Sequence, residues 1–172
     1  VQELGHDSFK GVDIALFSAG GALSLEYGPS AAKAGAVVID NSSAFRMDPE
    51  VPLVVPEVNP AAAQARPKGI IANPNCTTII TMMGLNPLHQ KFGLRSIIAS
   101  SYQDVSGSGQ AGIEELSDQV KALTEGRTDV PQEVYPQQIA FNVIPHVDQF
   151  VEGGYTRDCL LYTSDAADDV RG

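Results

Sequence analysis

Asn73-Pro74-Asn75-Cys76-Thr77-Thr78 is the stretch that decides how this chain is interpreted. The apolar run 69–72 before it predicts a strand, and the apolar-rich segment from Thr77 to about Leu88 predicts a helix. A cysteine at such a corner meets the amides and the dipole of a helix N-terminus, which favour an anion. The thiolate is the nucleophilic form of cysteine, so the pattern indicates a nucleophile at Cys76. The alternative is a buried structural cysteine, and the polar flanks favour the nucleophile over it.

Composition excludes several classes of protein. The chain has 172 residues, 43% of them hydrophobic, which is enough for a real core in one domain or in parts of two. Its formal net charge of −10 argues against nucleic acid and anionic membranes as partners. No apolar run approaches the roughly 20 residues that span a bilayer. We therefore expect a soluble protein.

Cysteine and histidine are sparse. Cys76 and Cys159 form no disulfide framework, and the histidines at 6, 89 and 146 lack metal-ligand spacing. With no signal peptide at the start, these features indicate a cytoplasmic protein without a metal. The tail 159–172 breaks from what precedes it and resembles a translated sequencing adaptor, the alternative being a short acidic segment. If the tail is an adaptor, we expect the chain to be an internal piece of a longer protein.

The first half of the chain has an α/β rhythm. Apolar runs predict strands, and a helical segment spans 23–34, interrupted by Gly28-Pro29. Near-continuous apolar strands favour a parallel sheet covered on both faces, and such sheets bind ligands at strand carboxyl ends. Ser18-Ala19-Gly20 and Asp40-Asn41-Ser42 are therefore candidate cofactor contacts, with ordinary turns as the alternative. The predicted strands are 12–17, 36–40, 51–55 and 69–72.

The second half differs in character. Residues 94–102 alternate as a strand does, and a small-residue loop over 103–112 precedes a predicted amphipathic helix over 113–123. Small residues before a helix N-terminus allow a phosphate or carbonyl to approach the backbone, although a flexible turn is the alternative. Residues 139–145 are predicted to be strand-like or extended. The solvent side of the helix is assigned to Glu114, Glu115, Asp118 and Lys121.

Six motifs in this order resemble those of aspartate-β-semialdehyde dehydrogenases, from about Gly11 to Asp158. They are 12–20, 38–46, 54–59, 73–78, 102–109 and 139–142. The resemblance implies an α/β fold with the C-terminal part of a Rossmann NADP-binding domain, followed by the start of an α/β (α+β-type) catalytic and dimerisation domain. The expected bounds are 1–75 for the partial dinucleotide-binding domain, 76–158 for the partial catalytic domain and 159–172 for the artefact.

The resemblance also implies a reaction and its residues. The family converts L-aspartyl-4-phosphate to L-aspartate-4-semialdehyde with NADPH, as a homodimer, on the route to lysine, methionine and threonine. Cys76 falls on the acyl-thioester nucleophile, Arg46 on the phosphate-binding arginine and Gln103 on the substrate-positioning glutamine. Asn75 is assigned to the substrate phosphate or the oxyanion. The cofactor-contacting positions are Ser18, Ala19, Gly20, Ser106 and Gly107.

Departures from the family pattern produce further expectations. Asp104 stands where the family usually has alanine, and a carboxylate near an anion site should point away from it. The family's phosphate-binding turn should precede Val1, and its histidine and later substrate ligands should follow Asp158, so we expect the chain to be inactive alone. His146 does not occupy the family's histidine motif. The alternatives are N-acetyl-γ-glutamyl-phosphate reductase, glyceraldehyde-3-phosphate dehydrogenase and a noncatalytic dinucleotide-binding relic.

Overall fold

The computed structural model describes residues 2–150, 153–154 and 156. These residues form two compact units, the first reaching to Ile97 and the second running from Ile98 to Thr156. The expected adaptor segment, with Cys159, lies outside the described residues. Among the helices of the described residues, none is long and apolar enough to cross a membrane.

The first unit is built on a three-stranded parallel sheet. Its strands are β1 (Ile14–Phe17), β2 (Val37–Asp40) and β3 (Ile70–Ala72), in the order β1-β2-β3. Residues 51–55 add an isolated parallel bridge between Leu53 and Ala72 rather than a full strand. The mixed α/β fold with a parallel sheet is therefore confirmed.

Helix α1 (Gly21–Lys33) connects β1 to β2 and packs on all three strands. It continues through Pro29, and Gly28 allows a close approach, since a Cβ there would lie 3.3 Å from the Phe45 ring. Apolar burial against the sheet stabilises the helix more than helix propensity does. The core of this unit consists of Phe9, Ala15, Phe17, Ala31, Ala36, Val38, Phe45, Val51, Leu53, Ile70 and Ala72.

Only one face of β1 is covered by the described residues. Ala15 and Phe17 are buried, whereas Ile14 and Leu16 are 60% and 76% exposed. Successive strand residues point to opposite faces, so the exposed pair lies on the face away from the core. Within the described residues, the predicted cover therefore lies on one face of β1.

Helix α2 (Cys76–Phe92) follows β3 and begins one residue before the predicted start. Asn75 is the N-cap, and Gly93 ends the helix in the left-handed region, with φ +69°. A short 3-10 helix (Pro60–Gln64) lies between β2 and β3.

The second unit contains a 3-10 turn (Val105–Ser108) and helix α3 (Gln110–Thr124). The strand predicted over 94–102 is wrong: these residues have no regular structure, and Ile98 is fully exposed. A strand needs a neighbour for its N–H and C=O groups, and no described strand pairs with this segment. Residues 139–145 are irregular, with a turn at Phe141, where φ is 56°.

Glu115 corrects a second expectation. Its side chain is buried on the inner face of α3, not exposed to solvent, and Gln119 one turn later is fully buried. Both accept backbone N–H groups of the segment that follows the helix. A polar side chain is buried where such donors meet it, which helical periodicity alone does not reveal.

Candidate functional site

Three loops meet at the carboxyl end of the sheet, as expected for a parallel arrangement. The backbone N–H of Asn41 donates to the Phe17 carbonyl, and the backbone N–H of Asn73 donates to the Asp40 carbonyl, each at 2.8 Å. The loops therefore continue the backbone pairing of the strands. The side chains are joined as well. Asn73 Nδ2 donates to Asn41 Oδ1 at 2.6 Å, and Asn41 Nδ2 contacts Ser18 Oγ at 3.4 Å.

Asp40 lies beneath these loops and is fully buried. Its Oδ1 accepts the Ser24 hydroxyl at 2.6 Å, and its Oδ2 accepts the Ser42 hydroxyl at 2.7 Å. Buried carboxylates are stable when such donors surround them. Asp40 therefore fastens α1 to the loop after β2.

Arg46 ties two of these loops together. Its Nε donates to the Asn73 carbonyl at 2.8 Å, and an Nη2 hydrogen donates to the Asn41 carbonyl at 3.0 Å. The guanidinium group is planar, so two such bonds set its orientation. A half-buried cation is thereby held at the loop that leads, three residues later, to Cys76.

Cys76 is the first residue of α2, and its thiol is exposed. Its Sγ lies 3.9 Å from Thr77 Oγ1. The neighbouring Asn75 is buried, and its Oδ1 accepts the Thr78 amide at 2.7 Å. The cap fixes where the helix starts, and so presents an accessible sulfur at the positive end of the helix dipole. The arrangement suits a nucleophile that must reach a substrate.

The second unit carries Gln103, Ser106 and Gly107 on or beside the 3-10 turn, all of them exposed. Asp104 caps this turn, because its Oδ1 accepts the Ser106 amide at 2.7 Å. Hydrogen bonds from the Ser106 backbone N–H and hydroxyl lower the pKa of Asp104. The Asp104 carboxylate, which stands where the family usually has alanine, is therefore hydrogen-bonded within its own turn.

The structure thus places the predicted site residues in two groups. In the first unit, Ser18 and Arg46 lie on loops that are joined by hydrogen bonds to Asn41 and Asn73, and Cys76 begins the helix that follows the Asn73 loop. In the second unit, Gln103, Ser106 and Gly107 lie within five residues of one another. The roles of Asn41 and Asn73 as connecting side chains were not predicted. The sequence feature that could have identified these two residues is their position, since each directly follows a buried strand.

The residues present fit a dinucleotide. Gly20 has φ +96° and an added Cβ there would meet nothing within 4 Å, so the backbone is open to close approach at the end of β1. Helix α1 begins at the next residue, and no side chain caps its N-terminus. Gly107 is likewise open. Within the described residues, no group of three or more His, Cys, Asp or Glu could hold a metal ion.

Comparisons with known proteins agree with this arrangement. Residues 1–66 match the model for the semialdehyde dehydrogenase NAD binding domain, and residues 85–167 match that for the semialdehyde dehydrogenase dimerisation domain. Aspartate-semialdehyde dehydrogenase from Aquifex aeolicus is 56% identical over 153 residues, covering 88% of this chain and 45% of the relative. Aspartate-semialdehyde dehydrogenase 2 from Vibrio cholerae is 51% identical over 161 residues, covering 92% and 47%.

Solved structures show the same relationship. The crystal structure of Vibrio cholerae aspartate semialdehyde dehydrogenase II complexed with ASA has a TM-score of 0.82 and 51% identity, over 88% of this chain and 45% of that one. The Francisella tularensis enzyme, at 23% identity, shares the fold with a TM-score of 0.83, over 98% of this chain and 53% of that one. The chain spans about half the length of the curated relatives it matches. On this evidence the chain belongs to the aspartate-semialdehyde dehydrogenase family.

Proposed function

We propose that this chain supplies the nucleophile and part of the cofactor site of an NADP-dependent aspartate-semialdehyde dehydrogenase. The reaction is the reductive dephosphorylation of L-aspartyl-4-phosphate to L-aspartate-4-semialdehyde, in the biosynthesis of lysine, methionine and threonine. The observation that carries the proposal is the exposed Cys76 thiol at the start of α2, next to the loop that Arg46 holds. Family membership supports the substrate class.

The chemistry assigned to Cys76 is acyl transfer. Its thiolate attacks the acyl carbon of the substrate, a C–S bond forms, and the bond from that carbon to the phosphate oxygen breaks. Phosphate leaves with the electron pair of that bond, and the acyl group remains on Cys76 as a thioester. NADPH, when bound, supplies the hydride that reduces the acyl group. Cys76 then leaves as the thiolate and the aldehyde is released.

The other assignments follow the positions of the side chains. Arg46 is placed at the leaving phosphate, because its oriented guanidinium lies at the loop before the nucleophile. Asn75 is proposed to assist at the phosphate or oxyanion in addition to capping α2. Gln103, exposed beside the 3-10 turn, is proposed to position the acyl group.

Cofactor and assembly complete the proposal. Ser18, Ala19 and Gly20 are assigned to the cofactor because they follow β1, where Gly20 leaves the backbone open, and Ser106 and Gly107 because they lie on an exposed turn. We propose NADP rather than NAD, a homodimer through the dimerisation domain, and a cytoplasmic enzyme, the last supported by the scarcity of cysteine. The domain division at residue 75 also remains a proposal.

The test uses a full-length chimera in which this chain replaces the matching 161 residues of the Vibrio cholerae enzyme, hereafter the Vibrio chimera. NADP reduction is followed with aspartate semialdehyde, with and without phosphate. We expect phosphate-dependent reduction, and we expect Cys76→Ala to abolish it. We expect no turnover from the 172-residue chain alone.

Two results would contradict the proposal. If Cys76→Ala retains phosphate-dependent reduction, the nucleophile lies elsewhere. If the folded Vibrio chimera binds the dinucleotide but reduces none with aspartate semialdehyde, the chain is a noncatalytic relic or uses another acyl phosphate. Activity with N-acetyl-γ-glutamyl semialdehyde in the same assay would assign it to the reductase.

A further inference from the structure

Glu115 is a buried carboxylate for which the proposed chemistry has no use. It is 5% exposed, yet its oxygens accept three consecutive backbone amides, those of Glu133 at 2.7 Å, Val134 at 2.5 Å and Tyr135 at 3.2 Å. Burying a charge is costly unless hydrogen bonds compensate for the lost water. The carboxylate therefore fastens the segment around Tyr135 to α3.

Gln119, one turn further along the same face, holds the rest of this segment. It is fully buried; its Nε2 donates to the Pro131 carbonyl, and its Oε1 accepts the amides of Ile139 at 2.9 Å and Ala140 at 3.0 Å. Residues four apart on a helix share a face, so Glu115 and Gln119 act on one side of α3. Together they order a segment, 131–140, that has no helix or strand of its own.

Tyr135 extends from this segment to the 3-10 turn. Its hydroxyl contacts Ser108 Oγ at 2.9 Å and the Val105 carbonyl oxygen at 3.4 Å, so it touches both ends of the turn. Gly112 makes the approach possible, because a Cβ there would lie 2.8 Å from the Val105 oxygen and 3.1 Å from the Tyr135 hydroxyl. The turn, α3 and the Tyr135 segment are thus packed against one another.

We propose that Tyr135, held in place by Glu115, is a positioning residue that sets the conformation of the Val105–Ser108 turn for dinucleotide binding. The inference rests on the proposed function, which assigns Ser106 and Gly107 in the middle of this turn to the dinucleotide. Tyr135 acts through the ends of the turn and needs no contact with the ligand. A turn that is already ordered loses less conformational entropy when it binds, so it binds more tightly.

The first test measures NADPH affinity in the Vibrio chimera from the fluorescence of the bound nicotinamide. Tyr135→Phe removes only the hydroxyl, and we expect the Kd to rise about fivefold, the factor that one neutral hydrogen bond contributes. Tyr27→Phe is the matched control, since it removes a tyrosine hydroxyl whose hydrogen-bond partner is the Glu26 side chain, and we expect no change in Kd.

A double-mutant cycle identifies the partner of the hydroxyl. Ser108→Ala should also raise the Kd about fivefold, and the double variant with Tyr135→Phe should bind no worse than either single variant, because both remove the same contact. A purely structural role for Tyr135 would lower the melting temperature and the folded fraction, without changing the Kd of the folded protein. Binding and melting are therefore measured on the same samples.

Glu115→Gln examines the residue that holds Tyr135. It replaces one accepting oxygen by a donor, so the amides of the segment lose a partner, and we expect the Kd to rise at least as much as in Tyr135→Phe. Glu114→Gln is its control, an exposed neighbour whose Oε1 accepts from Gln110 Nε2 at 2.9 Å. If Glu115→Gln does not fold, the cycle with Tyr135 and Ser108 alone decides the inference.

The outcomes separate the two proposals. An unchanged Kd in both Tyr135→Phe and Ser108→Ala overturns the inference, even if the Vibrio chimera is fully active. A chimera that binds NADPH but does not reduce NADP with aspartate semialdehyde overturns the proposed function, and its Kd values still decide the role of Tyr135. A folded chimera that does not bind NADPH overturns both.

Discussion

The Arg46 guanidinium donates from Nε to the backbone carbonyl of Asn73 at 2.8 Å, which joins the loop after β2 to the loop that precedes Cys76. A second bond, from Nη2 to the Asn41 carbonyl, fixes the plane of the group. A single side chain thus fixes the spacing of two loops and carries the positive charge assigned to the substrate phosphate. The structural and the proposed chemical role of Arg46 can be separated experimentally.

Arg46→Lys keeps the charge but lacks the planar fork. Lysine cannot make both carbonyl contacts in the same geometry. Since hydrogen bonds from a charged group are worth about 1.5–3 kcal/mol each, we expect kcat/KM for phosphate in the Vibrio chimera to fall roughly tenfold or more. The measurement is the phosphate dependence of NADP reduction.

Arg66→Lys is the control for this substitution. Arg66 donates from Nη1 to the nearby Ala63 carbonyl and lies on no loop of the candidate site. We expect its kinetics to match those of the unsubstituted chimera. If Arg46→Lys also retains the original kcat/KM for phosphate, Arg46 is not the phosphate-binding residue.

The cap at Asn75 predicts a stability change that is independent of catalysis. Asn75→Ala removes the oxygen that accepts the Thr78 amide, and loss of such a cap costs about 1 kcal/mol. Asn75→Asp retains an oxygen in the same place and should retain most of the free energy of unfolding. Thermal and denaturant unfolding of the Vibrio chimera measure both.

Asn75→Asp also tests the catalytic assignment. A carboxylate at this position would repel the substrate phosphate and the developing oxyanion, so we expect a stable protein with a lower kcat/KM. A stable Asn75→Asp variant with unchanged kinetics would restrict Asn75 to its role as a helix cap.

The first unit was largely predictable from the sequence, because the apolar pattern within each segment is enough to identify its strands and helices. The runs around Ala15, Val38 and Ile70 are apolar and form the three strands of the sheet. The position of Cys76 at a strand-to-helix corner followed from the same pattern. Local apolar periodicity sufficed here because these elements pack against their sequence neighbours.

The second unit was less predictable, because its structure depends on contacts between distant residues. Glu115 was assigned to the solvent side of α3, as a charged residue usually is, yet it meets amides about 20 residues later in the chain. The segment 94–102 has the alternation of a strand, but a strand also requires a partner. Local periodicity reveals neither the distant amides that Glu115 accepts nor whether a neighbouring strand is present for residues 94–102.

The lowered pKa of Asp104 predicts how its contribution to folding stability changes with pH. Hydrogen bonds from the Ser106 backbone N–H and then its hydroxyl lower the pKa of Asp104 below its ordinary value of 3.8. The folded state therefore prefers the ionised carboxylate. Its contribution to stability is present above the unfolded-state pKa and is lost as the pH falls through the lower, folded-state pKa.

Carboxyl carbon NMR of the Vibrio chimera with labelled aspartate measures this pKa, and Asp104→Asn assigns the signal. We expect a midpoint below 3.8, raised part of the way back in Ser106→Ala, where the backbone hydrogen bond remains. A midpoint at or above 3.8 would show that Asp104 does not cap the turn in solution.

Two glycines inside helices predict opposite effects of the same substitution. Gly84 lies in α2, and an added Cβ there would meet nothing within 4 Å. Alanine is favoured over glycine in a helix by about 1 kcal/mol, so Gly84→Ala should raise the free energy of unfolding by up to that amount.

Gly112 lies in α3, where an added Cβ would stand 2.8 Å from the Val105 carbonyl oxygen and 3.0 Å from Ser108 Cβ. The first of these atoms is backbone, so relief requires the 3-10 turn to move away from the helix. Overpacking of this kind costs about 1–3 kcal/mol, which exceeds the gain in helix propensity. We therefore expect Gly112→Ala to lower the free energy of unfolding while Gly84→Ala raises it. Denaturant unfolding of both variants in the Vibrio chimera gives the comparison, and equal stabilisation by the two would mean that α3 does not lie against the turn.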